Sequence, residues 1–189
     1  MTKKEKIDLT ARELFWKHGF KKVSIDEICR KAGVSRKTYY TYYSNKSALV
    51  VFLLEDVTNN MFTMYDALIN DETKSMSDKM QEMLNMKFQM NQDFSLEFVS
   101  DFFHPDSADV LEYFNKIVAK SLEMTRKFFV DAQEKGEMNP DLNIDFVMWN
   151  MQKQLEVCSA PEVIAMFPNA ESMSRQISEL LIYGIMPTK

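Results

Sequence analysis

The chain has 189 residues, 46% of them hydrophobic and 27% charged. That composition excludes a disordered polymer and suits a small domain joined to a larger one. The net charge of −5 is unevenly spread, with +7 on residues 1–48 and −12 on the remainder, so attraction for a polyanion is focused at one end.

No window approaches the ~18 consecutive apolar residues of a membrane span. Lys17, Lys21 and Lys22 fall where an export signal needs its apolar core, so a cytoplasmic location is expected. Cys29 and Cys158 have no metal-binding or redox spacing and are expected to be reduced thiols.

With 4 Gly and 5 Pro, the chain has few helix breakers. Thr2 and Glu5 make a capping box, predicting a first helix that carries Ile7, Ala11, Leu14 and Phe15 and stops at Gly19. Ser24 and Glu27 make a second box, flanked by Val23 and Ile28 as a hydrophobic staple. The helix it starts, from about Ile25, buries Ile25, Ile28, Cys29 and Ala32 and ends at Gly33. Ser35 caps a short third helix, Arg36 to about Tyr43. Ser44-Asn45 then breaks the chain, and a long amphipathic helix runs from near Lys46 to about Ile69.

Residues 70–77 read as a loop, followed by a helix from about Ser77 to Asn91. An aromatic-rich stretch spans Phe94–Phe103, and His104-Pro105-Asp106 breaks it. The strongest helical period in the chain comes next, through Val110, Phe114, Ile117 and Phe128 to Gly136. Asn139-Pro140 is expected to restart helix, with Pro at the first helical position, running to about Cys158 and stopped by Pro161. A last helix spans about Asn169 to Gly184. No strand-like alternation or internal repeat occurs, so the expected fold is all-α with about nine helices. The expected division is a head of residues 1–48 and a body of residues 49–189.

The second helix, the Gly33 turn and the stubby third helix make a helix-turn-helix. The third helix is short enough to enter a DNA major groove. Arg36 and Lys37 stand in its first turn, where side chains meet base edges, and both can donate to guanine O6 and N7. Thr38, Tyr40, Thr41, Tyr42 and Lys46, with the capping hydroxyls of Ser24 and Ser35, supply donors suited to phosphate oxygens.

The string from Ile25 to Leu49, Ile-Asp-Glu-Ile-Cys-Arg-Lys-Ala-Gly-Val-Ser-Arg-Lys-Thr-Tyr-Tyr-Thr-Tyr-Tyr-Ser-Asn-Lys-Ser-Ala-Leu, resembles the signature of the TetR family of bacterial regulators. Ala11, Leu14, Phe15, Gly19 and Phe20 match that family's first helix. The likeness is close over residues 5–50 and continues beyond only as a similar layout of helices. It implies that Arg36 and Lys37 reach bases and that Thr38, Tyr40, Tyr42 and Lys46 touch the DNA backbone. It further implies that Val34, Tyr39, Tyr43 and Leu49 pack the small core. Two positions depart from the pattern: Lys37 replaces a residue that is often glycine or small, and Cys29 replaces the usual alanine.

The resemblance also implies a homodimer on a palindromic double-stranded operator, and a body that takes a small, largely apolar effector which releases a repressor. Phe88, Phe98, Phe102, Phe103, His104, Phe114, Phe128 and Trp149, with Phe94, are the candidate effector walls; most single aromatics of this kind are ordinary core. Met148, Met151, Leu155, Met173, Ile177, Leu180, Leu181 and Gly184 are the candidate dimer contacts.

No catalytic constellation or phosphate-cradling loop is present, so neither an enzyme nor a cofactor is expected. His104 with Asp101 and Asp106 is the sole metal-like grouping, and an ordinary loop histidine is the simpler reading. A DNA-binding structural or cell-division factor with a protein partner and no effector is the alternative.

Overall fold

The computed structural model describes residues 1–104, 107–158 and 160–185; the side chains of Asn91, Leu155 and residues 181–185 fall outside the description. Ten helices follow in order: α1 (Lys3–His18), α2 (Ile25–Ala32), α3 (Arg36–Tyr42), α4 (Lys46–Ile69), α5 (Met76–Asn91), α6 (Leu96–Asp101), α7 (Ala108–Glu134), α8 (Ile144–Cys158), α9 (Pro161–Ile164) and α10 (Ala170–Ile185). No strand occurs among the described residues, as the absence of period-two patterning requires.

Side-chain caps set most of the helix starts. Thr2 and Glu5 close the expected box on α1. Ser24 accepts the Glu27 amide at 3.1 Å, but the Glu27 carboxylate lies 3.4 Å from Lys31, so only the serine half of the second box forms. Asn45 accepts the Ala48 amide at 2.8 Å and starts α4. A box between Ser75 and Asp78, not anticipated from the sequence, starts α5. Lys79 closes the other side of that turn: its ammonium donates to the Ile69 carbonyl at the end of α4, at 2.8 Å.

One expectation fails at a proline, and at another the chain adds a helix. Asn139-Pro140 does not start a helix. Asn139 instead folds an Asx turn onto the Asp141 amide at 3.0 Å, and Gln133 donates to the carbonyls of Asn139 and Leu142. The helix begins at Ile144, with the Phe146 amide held by Asn143. Pro161 does not merely stop α8 but opens the one-turn helix α9, which brings the total to ten.

Contacts divide the chain into two compact units. The first comprises residues 1–60 and 93–115, and the second residues 61–92 and 116–189. In the first, α1–α3 do not close their core alone. Ile7, Ala11, Phe15, Ile28 and Tyr39 share one cluster with Leu49, Val50 and Leu53 of α4, Phe98 and Phe102 of the 96–102 segment, and Val110 of α7. Each fully buried large apolar side chain contributes about 1.5–3 kcal/mol, so the short α3 is held by its neighbours and not by its own helix propensity. The second unit is centred on Met76, Met80, Phe128, Phe129, Ala132, Met138 and Val147.

Candidate nucleic-acid interface

The turn between α2 and α3 depends on Gly33. Its φ of 66° and ψ of 38° are left-handed, and the Val34 amide reaches back to the Cys29 carbonyl at 3.0 Å. Ser35 then caps α3 by accepting the Thr38 amide at 3.1 Å. Within α3 only Tyr39 is buried; Arg36, Lys37, Tyr40, Thr41 and Tyr42 are exposed. The helix therefore presents a continuous face of cationic and hydroxyl groups.

That face is braced from behind by two phenols. Tyr39 donates to the Asn45 carbonyl at 3.1 Å, and Tyr43 donates to Asp8, which also pairs with Lys4 at 2.9 Å. Burial pushes the phenol of Tyr39 well above its ordinary pKa; burial and then the Asp8 carboxylate do the same for Tyr43. The two rings pack 5.8 Å apart, and Tyr43 continues onto Phe52 of α4 at 5.6 Å.

Arg36 is not free on the surface. Its guanidinium pairs with Asp26 of α2 at 3.2 Å and lies 3.5 Å from the Tyr40 hydroxyl. The Tyr40 hydrogen bond and then Asp26 hold it even more firmly protonated than usual. Both partners are solvent-exposed, so the pairing orients the side chain more than it stabilises the fold.

Lys46 sits differently from the other cations. Its ammonium donates to the carbonyls of Lys21 at 3.0 Å and Val23 at 2.9 Å, tying the start of α4 to the segment that leads into α2. Burial lowers its pKa. Ser24 and Ser35 are exposed at the ends of α2 and α3. Each hydroxyl accepts an amide, and that of Ser35 also shares a hydrogen bond with the Thr38 hydroxyl at 3.0 Å.

Sequence reasoning missed the carboxylates that hold this surface: Asp8, Asp26 and Asp101. Asp101 of α6 accepts the Lys21 amide at 2.8 Å, and the Ser95 amide donates to the Trp16 carbonyl at 2.9 Å, so α6 grips the end of α1. Acidic residues beneath basic ones read only as charge balance in a sequence. No cluster of three potential metal ligands occurs among the described residues, and Asp106 lies outside them.

Residues 9–51 match the sequence profile of the bacterial regulatory proteins of the tetR family. Over those residues the chain is similar to the TetR family. Among relatives, the HTH-type transcriptional regulator YdgC of Bacillus subtilis is 22% identical over 174 residues, covering 89% of this chain and 85% of that one. The mycofactocin biosynthesis transcriptional regulator MftR of Mycobacterium tuberculosis is 51% identical over 39 residues, 21% of this chain and 20% of that one. Among solved structures, the regulator FadR of Bacillus subtilis in complex with stearoyl-CoA aligns with a TM-score of 0.72 at 16% identity, covering 96% of this chain and 99% of that one. A regulator from Saccharomonospora viridis in complex with choline aligns with a TM-score of 0.73 at 13% identity, covering 97% of each chain. These structures share the fold of this chain.

The candidate effector walls separate into two groups. Phe98, Phe102, Phe103 and Phe114, with Phe94, form one ring cluster in the first unit, packed against Trp16 and Phe20 at centroid distances of 4.7–6.0 Å. Phe98 and Phe102 are buried in that core, and His104 beside them is half-buried. Phe88 and Phe128 are buried in the second unit, where Arg175 lies 4.2 Å over the Phe88 ring. Trp149 is 56% exposed and stacks on Phe146, which is 60% exposed.

The candidate dimer residues are similarly divided. Met148 and Met151 pack against the core of the second unit, Met173 is buried and Ile177 half-buried. Leu180 is 78% exposed. Leu155, Leu181 and Gly184 lie where the surroundings are outside the description. An apolar stripe that the sequence reading did not assign to pairing runs along α8 through Phe146, Trp149 and Val157, spaced by whole turns and exposed. Among the described residues no helix is long and apolar enough to cross a membrane.

Proposed function

We propose that this regulator binds a palindromic double-stranded operator as a homodimer and acts as a repressor released by a small, largely apolar effector. The observation that carries DNA reading is the exposed polar face of α3, fixed from beneath by Tyr39 and Tyr43. Arg36 and Lys37 read bases. Ser24, Ser35, Thr38, Tyr40, Thr41 and Tyr42 hold phosphates, and Lys46 keeps the α2 lead-in in place behind them.

A single module this small makes few phosphate contacts, which favours two copies on two half-sites about 34 Å apart. The exposed α8 stripe of Phe146, Trp149 and Val157, with Leu180 of α10, supports pairing through those two helices. Structural neighbours carrying stearoyl-CoA and choline support an effector in the helical body. The body's covalent link to the reader through α4 supplies the route of control.

The test is fluorescence anisotropy with duplexes from the DNA flanking the protein's own gene. A sequence preference of about 10³-fold or more over random duplex is expected. Uniform affinity for all duplexes overturns the reading in favour of a structural DNA-binding factor.

A further inference from the structure

Lys87 of α5 and Ser178 of α10, 91 residues apart, meet in the interior of the second unit, where the ammonium donates to the serine hydroxyl at 3.0 Å. Ser178 is buried, and the Cys158 thiol at the end of α8, which burial keeps protonated, is the titratable group that acts on the lysine. Among the described residues no carboxylate pairs with Lys87. Burial lowers its pKa. Met83 and Met90 lie one turn to either side on the same face of α5.

The buried Lys79 of this unit has a structural use, since it closes the end of α4; Lys87 is half-buried. Lys87 has none of that kind. A desolvated ammonium without a counter-charge is costly to keep in a folded core, and its natural complement is an anion that arrives with a ligand.

We propose that Lys87 and Ser178 form the head-group site for the effector, and that the effector is an amphiphile ending in a carboxylate. The lysine supplies the charge. Ser178 accepts from Lys87 and keeps its own hydroxyl proton to donate to the carboxylate. The apolar tail lies among the methionines and aromatics of the same unit. This rests on the reading that the helical body takes an effector, and it adds the chemical class and the residues that select it.

The experiment is calorimetric titration of the full chain with octanoate, decanoate and dodecanoate below their micelle concentrations, against the neutral comparator 1-decanol. Decanoate is expected to bind at least about 10-fold more tightly than 1-decanol. Lys87→Met removes that preference without weakening 1-decanol, and Lys87→Arg retains it. Circular dichroism checks the fold; if Lys87→Met does not fold, Ser178→Ala is expected to weaken decanoate about 3- to 10-fold while leaving 1-decanol unchanged. No saturable binding of any carboxylate, or equal binding of decanoate by wild type and the variant that folds, overturns the proposal. Operator release is measured separately. Carboxylates that bind through Lys87 without loosening DNA leave this site standing and overturn the effector-released repressor.

Discussion

Asp101 accepts the Lys21 amide at 2.8 Å with the same carboxylate oxygen that a Cβ at Gly19 would approach to 2.6 Å. Gly19 has a φ of 77°, so an alanine there meets both backbone strain and a clash. Gly19→Ala is expected to cost about 1–3 kcal/mol in urea unfolding. Gly33, also at positive φ but with open space around it, is expected to lose only about 1–2 kcal/mol as alanine. Removing the Asp101 side chain first should reduce the cost of Gly19→Ala. Strict additivity of the two changes would show that the contact carries no energy.

Asp26 holds Arg36 against α2 in the absence of DNA. Asp26→Asn is expected to free a cation, raise affinity for all duplexes at low salt and steepen the slope of log affinity against log salt by up to about one unit. Arg36→Ala should do something different, lowering discrimination against wrong bases by about ten-fold or more at one operator position. An unchanged operator preference in Arg36→Ala would remove Arg36 from the list of base readers.

Lys46 bridges two carbonyls from the far side of the interface. Lys46→Met leaves both without that donor and is expected to cost about 1–3 kcal/mol of stability. Affinity for every duplex should then fall alike. A loss of affinity with no loss of stability would instead place the ammonium on a phosphate.

Tyr65 donates to the Met83 carbonyl, and burial pushes its phenol up to about 12. A phenol whose folded pKa is raised contributes stability that is fully present below its ordinary value near 10 and is lost as pH climbs through 12. The wild type should therefore lose stability in urea between pH 10 and 12, with about 2 kcal/mol of that loss belonging to Tyr65. In Tyr65→Phe that share of the slope disappears. An identical slope in the variant would mean that other groups govern the alkaline limb.

Phe146 and Trp149 expose two stacked rings on α8. Phe146→Glu is expected to raise the dimer dissociation constant at least about 100-fold. Operator binding should become correspondingly more dependent on protein concentration. Sedimentation velocity reads the first effect and anisotropy the second; a dimer as tight as the wild type moves the interface elsewhere.

The reader was largely legible in the sequence because its signals are local. Capping serines, a left-handed glycine and a staple act within a few residues, and Thr2, Gly33 and Ser35 behave as their chemistry dictates. What was not legible depends on distant partners. Lys46 looks like an exposed cation until Lys21 and Val23 come round to meet it, and Asp101 looks like a loop carboxylate until α6 docks on α1. The phenylalanines of 94–103 show the same limit: period and composition mark them as buried without saying whether they enclose a ligand or one another. Pro140 was misassigned because a proline suits a turn and a first helical position equally well, and Gln133 and Asn139 decide for the turn from outside α8.

The sequence contains two tryptophans, and the fold gives one to each unit in opposite surroundings. Trp16 is 8% exposed between Phe94 and Phe98, while Trp149 is 56% exposed. The protein thus carries a built-in pair of optical probes. Blue-shifted emission shielded from iodide comes from Trp16, and red-shifted, quenchable emission from Trp149 of an unpaired protomer. Trp149→Phe leaves Trp16 as the sole tryptophan, so with excitation selective for indole a ligand added to that variant reports on the first unit alone.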